Sequence, residues 1–326
     1  MNRPCALCGE TKHEIVSEID RHGNPLRTIL CLGCGVITNS PIPSDVELTA
    51  FYRKDYRKHY KGSTEPSLRQ VWRNLGRIED HLLANREIYG DRKNCLDLGS
   101  GSGEFMFLAG AIGMNCIGVE PNEGYANYSR EKLGLSVTNK TLEEMDFKEG
   151  SFDLIRLSHV LEHMRDPVRS LKVLNRWLSD DGLLFIDVPN IENEASHKMH
   201  GRMFHFGHIY NFNPMTLRLA AGLAGFAEIE QSAARLAHVT SAFFRKNHGT
   251  FLKPDGLLEN ANKTKRAMDA HNARTFPKPE KGNAITGFFS KLGVRINEIT
   301  KSALYRSHRS IADASAKRLK DRLKNA

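Results

Sequence analysis

Nine residues constrain the fold of this chain more than any others. Cys95-Leu96-Asp97-Leu98-Gly99-Ser100-Gly101-Ser102-Gly103 runs from a short apolar strand into a loop with glycine at every second position. The spacing of Phe105, Leu108, Ala109 and Ile112 then predicts a helix from about Glu104 to Gly113. A buried strand that turns tightly into a helix starts a parallel sheet with crossover helices. Glycines let the backbone approach a ligand closely, and the helix N-terminus offers amides with no partner inside the helix.

A second predicted strand, Asn115 to Val119, ends in Glu120. A carboxylate about twenty residues after such a loop suits the paired hydroxyls of a ribose. The loop does not have the G-x-G-x-x-G spacing set by a pyrophosphate, as in a nicotinamide dinucleotide binder. It reads G-x-G-x-G, and Asp97 stands just before it, where an acid repels phosphate and suits a cation. At these residues the chain resembles the class I S-adenosylmethionine-dependent methyltransferases. The resemblance implies that Asp97, Gly99, Gly101 and Gly103 form the loop on the aminoacyl part of the cofactor, and that Glu120 takes its ribose. It extends to Thr141-Leu142-Glu143-Glu144, where the family places its adenine-flanking turn, and to a fourth strand at Ser151–Leu157. The fifth strand is expected at Leu183–Pro189, after a helix Val168–Leu178 and a turn at Asp180-Asp181-Gly182. His159, at the end of the fourth strand, is implied to lie beside the methionine moiety. The expected fold is α/β: a Rossmann-like seven-stranded methyltransferase sheet with helices on both faces, completed by strands at Ala227–Ala234 and Thr240–Arg245.

Four of six cysteines form two pairs, Cys5-x-x-Cys8 and Cys31-x-x-Cys34. Such knuckles present four sulfurs to one tetrahedral Zn²⁺, with Gly9 and Gly35 turning backbone amides toward them. A set made of sulfur alone leaves no position for water, so the metal is expected to be structural, a zinc ribbon stapling a segment too short for its own core. Cys95 and Cys116 lie in apolar runs and are expected to be core thiols. Leu48, Phe51, Tyr52, Tyr56 and Tyr60 follow at helical spacing, as packing surface or the mouth of an acceptor site.

His159-x-x-Glu162-His163 matches the inverted zinc-protease string, but it follows a strand directly and is cut by Asp166-Pro167 rather than running on as a long helix. Glu162 and His163 are therefore expected to fix the following helix and loop. The acceptor side is expected just beyond the fifth strand, where His197, His200, His205 and His208 fall within twelve residues. Imidazole titrates near neutrality and serves as a base, so His208, then His205, are the candidate catalytic residues. The stretch from His208 to Leu217 resembles one in which Asn213 or Thr216 caps the next helix. The N-terminal module with this domain also resembles enzymes that methylate nucleotide-linked deoxysugars at carbon. Their active loop reads Tyr-His-Glu-His. Here His205, Phe206, Gly207 and His208 stand there, which leaves O-methylation of a sugar or related hydroxyl at least as well supported.

The formal net charge of +9 belongs to the tail. Residues 1–246 carry 30 basic against 31 acidic side chains, while 247–326 carry 17 against 7. Bulk charge therefore gives no support to nucleic acid as the main domain's ligand. The predicted organisation is a zinc-binding module at 1–45, a helical linker at 46–90, the cofactor domain at 91–246 and a basic helical extension at 247–326. In that extension Ile285, Phe289, Leu292, Ile296, Ile299 and Ala303 form an apolar face, for packing within the chain, for a partner subunit in a homo-oligomer, or for peripheral contact with an anionic membrane. No apolar run long enough for a membrane span or a secretory signal is present, which sets a cytoplasmic expectation. The expected acceptor is a small molecule or glycan. The competing readings are an RNA methyltransferase whose zinc module and tail grip phosphates, and a non-catalytic binding module on the same fold. Against RNA, Ser158-His159 replaces the Asn/Asp-Pro-Pro-aromatic string; against the binding module, the cofactor loop is intact.

Overall fold

The computed structural model describes residues 3–51, 65–197, 203–231, 238–273 and 293–325. Eleven strands lie within them. β1 (His13–Ile19), β2 (Pro25–Cys31) and β3 (Ile37–Asn39) are followed by β4 (Asn94–Leu98), β5 (Asn115–Val119) and β6 (Val137–Thr138). β7 (Phe152–Ser158), β8 (Leu178–Pro189), β9 (Tyr210–Asn211), β10 (Phe226–Gln231) and β11 (Val239–Lys246) complete the set. Seven of them form one mixed sheet in the order β10-β11-β8-β7-β4-β5-β6, with β11 antiparallel to both β8 and β10. This is the Rossmann-like methyltransferase sheet expected from the residues. A smaller sheet of order β1-β2-β3-β9 carries the N-terminal segment.

The chain divides into two compact units, 1–52 with 146–275, and 53–145 with 276–326. In the first, β1 and β2 pair antiparallel across a turn held by Asp20, whose Oδ1 accepts the amides of His22 and Asn24 at 2.8 Å each. Leu30, Ile37, Ile191, Ala195, Phe204 and Met268 form one of its cores. Helix Leu257–Ala273 therefore packs on the N-terminal cysteine-bearing segment. Its Asn260 Nδ2 donates to the Cys34 carbonyl at 2.8 Å, and Lys265 pairs with Glu14. The helix Pro214–Leu223 starts at an Asn213 cap whose Oδ1 accepts the Thr216 amide at 2.9 Å, and the Asn213 amide group donates to Glu192, Asn260 and Thr264.

Asp180-Asp181-Gly182, expected as a turn, lies inside β8. Phe152 pairs with Leu178 and Leu154 with Leu183, so residues 179–182 bulge out of a strand that begins earlier than the apolar run suggests. The last two strands of the sheet fall where expected, although residues 232–237, including Ala234, lie outside the described residues.

In the second unit, β4, β5 and β6 are parallel, and Met106, Ala126 and Val137 pack into a core beside them. Helix Leu68–Ala84 is capped by Ser67 and Gln70. It buries Glu79 against Arg318 (2.6 Å) and Ser315 of helix His308–Lys324. The end of the basic extension is thus integral to this unit. Of the expected apolar face, Ile285, Phe289 and Leu292 lie outside the described residues; Ile296 and Ile299 are about half exposed. No helix among the described residues is long and apolar enough to cross a membrane.

Candidate active site

The glycine loop sits in the second unit. Gly99, Gly101 and Gly103 all have positive φ (69°, 58° and 82°), and Gly103 caps helix Glu104–Ala111. The Gly99 amide donates to the Val119 carbonyl at 2.7 Å, which ties the loop to the end of β5. The next residue, Glu120, is buried and uses its carboxylate twice: Oε2 accepts the Gly101 amide at 2.8 Å and Oε1 accepts the Asn122 amide at 2.9 Å. A Cβ placed on Gly101 would meet no protein atom within 4 Å. The loop therefore borders open space on the side where a ligand would lie. Asp97, the penultimate residue of β4, is fully buried. Leu142 is buried and Glu143 exposed on the short helical turn Leu142–Glu144, capped by Thr141. These features fit the ribosyl and cationic parts of S-adenosylmethionine.

His159, in the first unit, leaves β7 with φ 55°, a left-handed conformation rare for a non-glycine residue. Strain of this kind stores roughly 1–3 kcal/mol and clusters at working sites. The Asp187 carbonyl accepts its amide at 3.0 Å. Its ring faces Glu162, with Nδ1 3.5 Å from Oε1. Desolvation lowers its pKa, but the Glu162 and Asp187 carboxylates outweigh that and raise it to about 9.

Glu162 is 1% exposed, and among the described residues no hydrogen bond reaches either of its carboxylate oxygens. Around it stand His159, His163 (Nε2 3.8 Å away) and His208. The ring of His163 lies 4.9 Å from that of His208, and His208 5.4 Å from His205. The Gly207 peptide orients two of these rings. His163 Nδ1 donates to the Gly207 carbonyl at 2.6 Å, which turns Nε2 toward Glu162; the Gly207 amide donates to His205 Nδ1 at 3.0 Å, which leaves the His205 proton on Nε2. A side chain at 207 has no room: a Cβ would lie 2.9 Å from Phe51 Cε1 and 3.1 Å from His205 Cε1. Burial, followed by the charge of Arg21, pushes His205 down to about 3. It is a neutral imidazole at working pH, with an N–H to give rather than a proton to accept. The side chains of His197 and His200, and Tyr52, Tyr56 and Tyr60, lie outside the described residues.

The four cysteines come together. Cys5 and Cys34 Sγ are 3.8 Å apart, Cys8 and Cys31 3.5 Å, and all four lie within 4.8 Å of one another. A disulfide would need about 2.05 Å. Sulfurs about 2.3 Å from one tetrahedral ion are about 3.8 Å apart, so the cluster fits zinc. Contacts from Cys31 and Cys34 lower Cys5 to about 4, and the same crowding raises Cys34. Such a split follows from four sulfurs sharing a volume too small for four uncompensated charges. The Leu7 and Cys8 amides point at Cys5, and Glu10's at Cys8, as the knuckle pattern requires.

Sequence reading placed the glycine loop, Glu120 and the four sulfurs. It did not bring Glu162 and His163 to His208; the available signal was the His159-x-x-Glu162-His163 string itself.

A family model described as "Methyltransferase domain" matches residues 69–231. A probable (S)-tetrahydroprotoberberine N-methyltransferase 2 from Papaver bracteatum is 29% identical over 123 residues, which is 34% of this chain and 34% of that protein. An (S)-tetrahydroprotoberberine N-methyltransferase from Eschscholzia californica is 27% identical over 113 residues, 32% of each chain. The match thus spans about a third of the length of these curated relatives. Among solved structures, the 1,6-didemethyltoxoflavin-N1-methyltransferase of Burkholderia thailandensis is 18% identical, with a TM-score of 0.48, covering 65% of this chain and 96% of that one.

Proposed function

The chain belongs to the methyltransferase-domain family, and as an S-adenosylmethionine-dependent enzyme of that family we propose that it methylates a hydroxyl-bearing small molecule, a sugar or glycan, with a zinc ion held by Cys5, Cys8, Cys31 and Cys34 as a structural staple. One observation carries the acceptor side of this reading. His205 and His208 stand on one short loop, with Glu162 and His163 beside them, and the Gly207 peptide orients the His205 and His163 rings. A neutral His205 Nε2–H positions the acceptor, and His208 acts on its hydroxyl.

Asp97, the glycine loop, Glu120 and the turn Leu142–Glu144 hold the cofactor. The cofactor supplies a methyl already activated on a sulfonium. The residues therefore have two tasks: to align the oxygen and to assist loss of its proton. The alkaloid relatives act on nitrogen. The reading here rests instead on imidazoles suited to a hydroxyl, whose proton must leave.

The test uses S-adenosylmethionine carrying a labelled methyl and the acceptor fraction it labels from cell extract. His208→Ala is expected to keep cofactor affinity and to lower turnover by about 10²–10⁴-fold, the usual contribution of a positioned acid or base. Full turnover in that variant removes His208 from the mechanism. Label recovered on nitrogen instead of oxygen removes the hydroxyl acceptor.

A further inference from the structure

Glu162 is the feature this reading leaves unexplained. A carboxylate 1% exposed, with no hydrogen bond to either oxygen among the described residues, is costly to bury unless cations compensate its charge. His159 Nδ1, 3.5 Å from Oε1, gives the carboxylate one ion-pair partner, and His163 Nε2 at 3.8 Å lies beyond hydrogen-bond distance. One carboxylate oxygen and one nitrogen each from His163 and His208 lie within 4.8 Å of one another. Ligand atoms about 2.0–2.2 Å from a common cation are about 3–4 Å apart, a contraction that small side-chain rotations supply.

His163 also has the second feature of a metal ligand. It donates Nδ1–H to the Gly207 carbonyl at 2.6 Å, which fixes the tautomer with its Nε2 lone pair toward Glu162. Ligating histidines almost always anchor the other ring nitrogen in this way.

We propose that Glu162, His163 and His208 form a binding site for a divalent first-row cation, distinct from the cysteine cluster and open to one further ligand. One carboxylate and two imidazoles suit Zn²⁺, Mn²⁺, Fe²⁺ or Co²⁺, and three protein ligands leave a coordination position vacant. The half-buried His208 and the His159 side chain, 46% exposed, put that position at the protein surface, where an acceptor can reach it. The site deepens the proposed reading and rests on it for its use in the reaction. His208 then acts on the hydroxyl through the cation it holds: the acceptor's oxygen ligates that cation, which acidifies the hydroxyl, and the proton passes to solvent. An oxygen lone pair then forms the C–O bond as the C–S bond breaks and its electron pair returns to sulfur, leaving neutral S-adenosylhomocysteine. The acceptor class this favours is a polyol, one of whose oxygens ligates the cation.

The test is a calorimetric titration of the zinc-replete full chain with Mn²⁺ and with Co²⁺. The wild type is expected to take up one equivalent. Glu162→Gln and His208→Gln are expected to weaken uptake by more than about 100-fold, while the exposed His248→Gln leaves it unchanged. Pulsed electron paramagnetic resonance of the Mn²⁺-loaded wild type is expected to show imidazole nitrogen coupling, a readout that needs no variant to fold. No uptake by the wild type, unchanged affinity in both site variants, or no nitrogen coupling overturns the site. S-adenosylmethionine affinity, measured on the same samples without added metal, keeps the two readings apart. Cofactor binding without metal uptake removes the cation and leaves the methyltransferase; metal uptake without cofactor binding does the reverse.

Discussion

Gly101→Arg is expected to lower S-adenosylmethionine affinity by more than about 100-fold, at least about 2.7 kcal/mol, while the protein stays folded. A Cβ at 101 would meet nothing within 4 Å, so the new side chain meets no neighbour at its root and occupies the ligand's space instead. At φ 58° any L-residue also bears a left-handed strain of about 1–2 kcal/mol. Gly101→Ala isolates that strain, because it keeps the amide that Glu120 accepts and adds only a methyl. Calorimetric titration of wild type, Gly101→Ala and Gly101→Arg is expected to give a graded loss, with melting temperatures lowered by only a few degrees. Equal affinity in wild type and Gly101→Arg places the cofactor elsewhere.

The second large effect is on stability. Cys5→Ser, or a strong chelator, is expected to release one sulfur-held zinc per chain and to melt the segment around β1, β2 and β3. In small zinc modules the metal contributes roughly 10–16 kcal/mol of apparent binding energy to folding. The damage is expected to reach helix Leu257–Ala273, which packs on this segment and binds the Cys34 carbonyl. Exchange for Co²⁺ identifies the sulfur site by thiolate charge-transfer absorption, which a carboxylate–imidazole site lacks. Purified wild type without sulfur-held metal, or a Cys5→Ser chain with unchanged melting and protease resistance, rules out the staple.

Local signals made much of this legible. The glycine loop and the strand ending at Glu120 encode their geometry within a few residues of each other, and each cysteine pair lies within a single turn. The Asn213 cap was visible for the same reason. What escaped depends on contacts far apart in the chain. Glu162 stands next to Asp166-Pro167 and reads as part of a helix start; its partner His208 arrives only because the later loop returns to the end of β7. The tautomers of His163 and His205 are set by one peptide, that of Gly207, which has no side chain to advertise its role. The Asp180-Asp181-Gly182 triplet has turn composition, yet the pairing of β8 with β7 on both sides absorbs it as a bulge. The tail's basic composition suggested an appendage, whereas Asn260 and Arg318 tie its two ends into different units.

The link from Asn260 to Cys34 also bears on how the protein is made. Translation delivers the N-terminal knuckles first, yet a ligand-bearing turn finds its hydrogen-bond donor 226 positions later. With the proposed zinc, the knuckles can close early, but the docking of helix Leu257–Ala273 on this segment waits until the ribosome has released the stretch ending near Ala273. Throughout elongation the proposed ion, rather than the packing of this helix, therefore holds the two knuckles together.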